Sequence, residues 1–124
     1  MPVRSLRSSV LKWPDLDAVD RAARRWADTE SHARPELRRL GYFGSYATGT
    51  WGVGSDLDLV AVVTRAGRPF AQRPLDWDVS TLPVPAEILV YTQAEWSRLM
   101  QRQDRFAQVM RSEVVWLTGA GQDT

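Results

Sequence analysis

The stretch from Gly44 to Leu59, GSYATGTWGVGSDLDL, constrains this chain of 124 residues more than any other segment. A glycine and a serine follow one strand-like run, and two aspartates, Asp56 and Asp58, open the next. Side chains alternate between the two faces of a strand, so Asp56 and Asp58 project to one side and the leucines to the other. The sequence therefore predicts two neighbouring strands joined by a glycine-rich connection, with two carboxylates converging beside it.

Paired carboxylates at the start of a buried strand need compensation, because they repel each other and lose hydration. Oxygen ligands favour Mg²⁺ or Mn²⁺, and magnesium commonly binds through one or two protein carboxylates together with the phosphates of a substrate. Asp56 and Asp58 therefore predict a metal site that a nucleoside triphosphate completes.

The glycine-serine end of the stretch has the features of a phosphate-binding turn. Gly44 allows a tight turn, after which backbone amides near Ser45, at the start of a short helix, can face phosphate oxygens. Three further glycines leave the pocket clear of side chains: Gly49, Gly52 and Gly54. The sequence has no Gly-Lys-Ser, Gly-Lys-Thr or GxGxxG, which argues against a Walker loop and a dinucleotide fold.

The remaining segments predict one α/β (α+β) domain. Apolar residues recur at helical spacing over residues 15–30 and predict an amphipathic first helix. Residues 64–85, with Gly67 and four prolines, predict an irregular, mobile loop. Three strands are predicted, at Leu37–Phe43, Leu57–Val63 and Ala86–Tyr91.

A helix is predicted from Gln93, because Thr92 and Glu95 fit a capping box. Its apolar face runs from Trp96 through Met110, and residues 114–117 predict either a continuation of this helix or a late edge strand, of which the strand is favoured. We therefore expect a small mixed sheet of three to four strands flanked by helices over residues 14–118, with tails at 1–13 and 119–124.

Composition narrows the class of protein. The hydrophobic fraction is 44% and the charged fraction 25%, as in ordinary globular domains. A net charge of +1 gives no support for binding nucleic acid through phosphate neutralisation. The chain lacks cysteine and any apolar run that could span a membrane, so we expect a cytoplasmic protein.

These motifs resemble the nucleotidyltransferase signature of the DNA polymerase beta superfamily. The signature has a glycine-serine pair, a further glycine, and an Asp-x-Asp pair after a serine. The matching positions are Gly44, Ser45, Gly49, Ser55, Asp56 and Asp58. The resemblance extends over residues 14–118 and implies a polymerase-beta-like nucleotidyltransferase fold, with nucleotide binding at Gly44, Ser45, Gly49 and Ser55.

The resemblance also implies a third carboxylate on a neighbouring strand, and Glu87 occupies that position where aspartate is usual. Glutamate keeps the charge but is one methylene longer, which displaces the group that binds the metal or takes the attacking proton. Asp76 and Asp78 are weaker substitutes from the loop, and Asp78 is the better of them.

What the resemblance implies is transfer of AMP from ATP, with Asp56, Asp58 and Glu87 as catalytic and metal-binding residues. Minimal relatives pair with HEPN-domain proteins in toxin-antitoxin modules, so a HEPN partner and a homo- or hetero-oligomer are expected. The alternative is a binding module of the same fold, weakened at Glu87, that neutralises its partner by complex formation. Transfer to a small molecule or an RNA end ranks last, since the chain has no second domain for that acceptor.

Other conspicuous residues have ordinary structural interpretations. Trp26 and Trp96 lie on apolar helical faces and are expected in the core. Packing is also favoured for Trp51 and Trp77, although either could hold a base or a partner. His32 is interpreted as a surface residue. The arginines are interpreted as mostly solvated: Arg38, Arg39, Arg65, Arg68 and Arg73.

Overall fold

The computed structural model of the protein describes residues 13–118; the remainder of both predicted tails lies outside this part. The first helix, α1, spans Leu16–Ala33 and is capped by Asp15, whose carboxylate accepts a hydrogen bond from the Ala18 amide. Its apolar side chains point to the core, as their helical spacing predicts. No helix of residues 13–118 is long and apolar enough to cross a membrane.

Four strands form one mixed sheet in the order β3-β2-β1-β4. Strand β1 pairs antiparallel with β2 and with β4, and β2 pairs parallel with β3. The bounds are Leu37–Phe43 for β1, Leu57–Val63 for β2, Ala86–Thr92 for β3 and Val115–Thr118 for β4. A short helix, α2, spans Ser45–Thr48 between β1 and β2. The predicted mixed sheet flanked by helices is confirmed, and the late segment is a strand at the edge.

Two helices follow β3 where the sequence predicted one. Helix α3 spans Gln93–Met100, and its predicted capping box between Thr92 and Glu95 is present. Helix α4 spans Arg105–Ser112, so the continuous helix expected through Met110 was wrong.

The break between these helices has a local cause. Asp104 caps α4 by accepting a hydrogen bond from the Ala107 amide at 2.9 Å. The Arg111 guanidinium donates to the carbonyls of Met100 and Arg102 and so satisfies the end of α3. Both helices keep their apolar side chains on the same core, which is why the periodicity looked continuous.

The alternation of side chains along β2 divides the interior into two cores. Leu57 and Leu59 pack with α1 on one face. Val60 and Val62 pack with α3 and α4 on the other face. Asp58 belongs to the face of Val60, near the start of the strand.

Residues 64–85 are more ordered than their composition predicts. They contain a 3-10 helix, Phe70–Asp76, whose Arg73 is buried and not solvated as expected. Arg73 Nη1 donates to the Val90 carbonyl at 2.9 Å and to Glu95 at 2.6 Å. This ion pair fastens the segment to β3 and α3, and the Arg73 guanidinium lowers the pKa of Glu95 to about 2.

The tryptophans on helices are core residues, as predicted for Trp26 and Trp96. Trp77 is also structural: its ring lies 6.1 Å from that of Trp26 and beneath the guanidinium of Arg34. His32 is exposed at the last turn of α1, in agreement with its surface interpretation.

We expect Glu95→Gln to lower the free energy of unfolding by about 2 kcal/mol at neutral pH, because buried Arg73 loses its anionic partner. The folded pKa of Glu95 is depressed, so its contribution is present above the unfolded pKa and is lost as pH falls towards about 2. Urea denaturation across this pH range measures both effects.

Asp76→Asn is the matched control, since it removes the acid of the exposed Arg68–Asp76 pair. Its cost should stay below about 1 kcal/mol. Equal costs for the two variants, or a Glu95→Gln effect independent of pH, would contradict the role given to the buried pair.

Candidate active site

The turn after β1 has a backbone conformation that requires glycine. Gly44 has φ +79° and ψ −152°, a region that side chains exclude. It is followed by the short helix α2, Ser45–Thr48, which Gly49 ends in the left-handed conformation. The amides of Ser45 and Tyr46 open this helix and so have no acceptor within it. They are the donors that the sequence predicted for phosphate oxygens.

Gly44 is needed for a second reason, which is its contact with Asp58. Phe43 and Asp58 are partners in the antiparallel register of β1 and β2. A Cβ atom at Gly44 would overlap the Asp58 carboxylate. The turn predicted to bind phosphate and the carboxylate predicted to bind metal are thus neighbours, although fourteen positions separate Gly44 from Asp58 in the sequence.

The Ser55 hydroxyl shapes the connection between α2 and β2. It accepts a hydrogen bond from the Gly52 amide at 2.8 Å, and the Ser55 amide donates to the Gly52 carbonyl at 3.0 Å. These two bonds close a turn directly before Asp56. Ser55 therefore orients the entry to β2, and its hydroxyl proton remains able to donate to a ligand.

Glu87 lies beside Asp58 on the sheet. The parallel register makes these two residues direct partners, so their side chains share one face. Asp58 is half-buried, whereas Asp56 and Glu87 are exposed. Burial, and then the charges of Glu87 and Asp56, raise the pKa of Asp58 above its ordinary value. The three predicted carboxylates are therefore close enough to interact electrostatically.

The donor set fits a divalent cation shared with a substrate better than one enclosed by protein. Among residues 13–118, no three acidic or histidine side chains are close enough to hold a metal by themselves. Magnesium does not require such a cage, because water and phosphate oxygens complete its shell. Asp58, with its raised pKa and its two acidic neighbours, has the electrostatic environment that a cation would relieve.

The loop aspartates do not substitute for Glu87. The carbonyl of Asp78 accepts a hydrogen bond from Trp26 Nε1 at 2.9 Å, which places this residue on the α1 side of the sheet. Its carboxylate accepts a hydrogen bond from the Ser80 hydroxyl. Asp76 pairs with Arg68. The position of Asp78 in the sequence could not indicate that it would lie on the face of the sheet opposite to Asp58 and Glu87.

An aromatic cluster beside the site was missed from the sequence. Tyr46 of α2 is buried, its ring stacks on Trp51 at 5.6 Å with an interplanar angle of 11°, and its hydroxyl accepts from Trp13 Nε1 at 3.2 Å. The cluster fixes α2 against the connection to β2, so packing accounts for one face of Trp51. The sequence feature that could have indicated this cluster is the bulky aromatic residue Tyr46 between Gly44 and Gly49.

A glycine turn that opens a short helix, next to paired carboxylates, is the arrangement that the sequence predicted for a protein that binds a nucleotide through metal and phosphate. Residues 30–109 match the family model of the nucleotidyltransferase domain, and the chain belongs to that family.

Two solved structures share the fold. A provisionally assigned nucleotidyltransferase from Sulfolobus solfataricus has a TM-score of 0.58 and 17% identity, with 82% of this chain and 80% of that chain covered. A structure described as a toxin-antitoxin with AMP-PNP has a TM-score of 0.56 and 18% identity, with 84% and 76% covered. No curated protein matches the chain.

We expect Asp58→Asn to raise the free energy of unfolding by about 1 kcal/mol at neutral pH without added metal, because it removes a half-buried charge beside two carboxylates. The folded pKa of Asp58 is raised, so protonation stabilises the fold; the advantage of the variant should vanish as pH falls below the unfolded pKa. Chemical denaturation measures the difference, with Asp17→Asn, on exposed α1 surface, as the control. A destabilised Asp58→Asn would contradict the electrostatic account.

Proposed function

We propose that this protein transfers AMP from ATP to a hydroxyl of a HEPN-domain toxin and thereby acts as its antitoxin. The observation that carries the proposal is the pairing of Asp58 with Glu87 next to the Gly44 turn. Membership of the nucleotidyltransferase domain family supports the transfer of a nucleotide. The shared fold of the toxin-antitoxin structure with AMP-PNP supports an adenine nucleotide and a protein partner.

Asp56 and Asp58 would hold Mg²⁺ or Mn²⁺. Such an ion, when bound, neutralises the triphosphate and stabilises the charge that develops on the leaving group. The amides of Ser45 and Tyr46 at the start of α2 would hold phosphate oxygens, and Gly44 keeps their approach open.

Glu87 is the proposed base for the transfer step. Its carboxylate takes the proton of the acceptor hydroxyl, whose oxygen then bonds the α-phosphorus in line. The bond from that phosphorus to the bridging oxygen of the β-phosphate breaks, and pyrophosphate leaves with the electron pair. Glu87 is exposed on the edge strand β3, so a hydroxyl on a folded protein can reach it.

Incubation with α-labelled ATP and Mg²⁺ tests the activity directly, with the protein encoded beside this one as acceptor. We expect label on that protein, none after chelation with EDTA, and at least a hundredfold slower transfer by Asp58→Asn, a loss on the order expected when a metal ligand is removed. Asp17→Asn serves as the control with unchanged rate. An unaffected rate in Asp58→Asn would rule out this site.

Glu87 itself is tested by a pair of variants. Glu87→Gln should slow transfer by about 10²-fold or more, because the amide cannot accept the proton, whereas Glu87→Asp restores the usual residue of the family and should keep transfer. Mass spectrometry of the acceptor measures both. Equal rates in Glu87→Gln and the natural protein would remove Glu87 from the mechanism.

Absence of transfer together with a tight, inhibitory complex would favour the binding module. The longer side chain and the exposure of Glu87 are the features consistent with that alternative.

A further inference from the structure

A groove of about 590 Å³ lies beside β3, outside the candidate active site. Its apolar wall is formed by Phe70 of the 3-10 helix, Tyr91 of β3 and Leu99 of α3. Phe70 is one of three large hydrophobic side chains exposed among residues 13–118. Its ring centroid is 5.1 Å from that of Tyr91, so the two rings form a continuous apolar surface.

The rim of the groove is cationic. Arg98 and Arg102 line it from α3 and the turn that follows. The Glu95 carboxylate, also at the groove, is already neutralised by Arg73. Arg102 shares its charge with Asp104, whereas Arg98 has no ion-pair partner among residues 13–118. A ligand complementary to this groove therefore carries an anionic group next to an apolar group.

The groove is held in shape before any ligand arrives. Buried Arg73 bonds Val90 and Glu95, and its guanidinium lies 5.6 Å from the Phe70 ring. The 3-10 helix is thereby fixed to both neighbouring elements. A surface prearranged in this way loses little conformational freedom on binding.

The groove is also close to the proposed base. Tyr91 and Glu87 lie on the same face of β3, four residues apart, which corresponds to about 13 Å along a strand. A protein bound in the groove would therefore present its nearby surface to the exposed Glu87 carboxylate.

We propose that this groove docks the acceptor protein, through a segment that carries a large apolar side chain next to acidic residues. The inference rests on the proposed function, because it names the surface that brings the acceptor to the transfer site. The same aromatic and arginine chemistry could attract RNA. The near-zero net charge of the chain, and the covering of Tyr91 by Phe70 and Trp96, favour the protein segment.

The experiment measures complex formation with no nucleotide present and in the Asp58→Asn background, so that docking is separated from transfer. The probe is the fluorescently labelled protein encoded beside this one. Phe70→Ala and Arg98→Glu should each weaken its binding by about tenfold or more, as expected for a central apolar anchor and a reversed charge. In the natural background both variants should raise KM for the acceptor while kcat stays near its original value.

Matched controls separate docking from general surface effects. Leu75→Ala changes an apolar residue of the same helix that is 75% exposed and does not line the groove. Arg105→Glu makes the same charge change on exposed α4 surface. Both should leave the affinity within about twofold, and Phe70→Leu should restore most of the binding lost in Phe70→Ala.

Unchanged affinity in Phe70→Ala and Arg98→Glu would overturn the docking proposal while leaving nucleotide transfer intact. Failure of the unsubstituted protein to bind the probe would overturn it as well. The docking proposal would also be overturned if Arg98→Glu weakened the binding of a labelled single-stranded RNA but not the binding of the protein probe. Loss of transfer in Asp58→Asn with normal docking would support both proposals independently.

Discussion

The close approach of the Gly44 backbone to the Asp58 carboxylate is the contact on which the candidate site depends. The antiparallel register of β1 and β2 sets it, and a side chain at residue 44 would abolish it. It places the amide donors at the start of α2 next to Asp58, whose pKa is raised by burial and by the charges of Glu87 and Asp56, an environment that a bound cation would relieve. The stability of the fold favours a neutral Asp58 side chain, whereas the proposed chemistry requires its carboxylate to be charged.

The two faces of the sheet differ in what they support. The α1 face carries a continuous apolar core that includes Leu57 and Leu59. On the opposite face α3 and α4 pack against Val60 and Val62, and the paired residues Asp58 and Glu87 lie on the same face nearer the start of the two strands. One strand can thus anchor the fold through alternate residues and offer carboxylates through the others, because its side chains alternate in direction.

The Arg73–Glu95 pair links residues 64–85 to this framework. Glu95 caps α3 and holds a buried guanidinium at the same time. One carboxylate thereby orders a helix terminus, the 3-10 helix and the edge of β3. The groove beside β3 owes its shape to that pair, which fastens the 3-10 helix to the edge strand that also carries Glu87.

The sequence by itself determined the strands β1 and β2, the glycine turn and the capping box, since each depends on residues that are near one another in the chain. Only the tertiary structure decided that Glu87 pairs with Asp58, that Asp78 lies on the other face, that Arg73 is buried, and that the last helical region is two helices. Sheet register and burial depend on contacts between distant segments. The periodicity of one segment cannot specify which distant residue will become its neighbour.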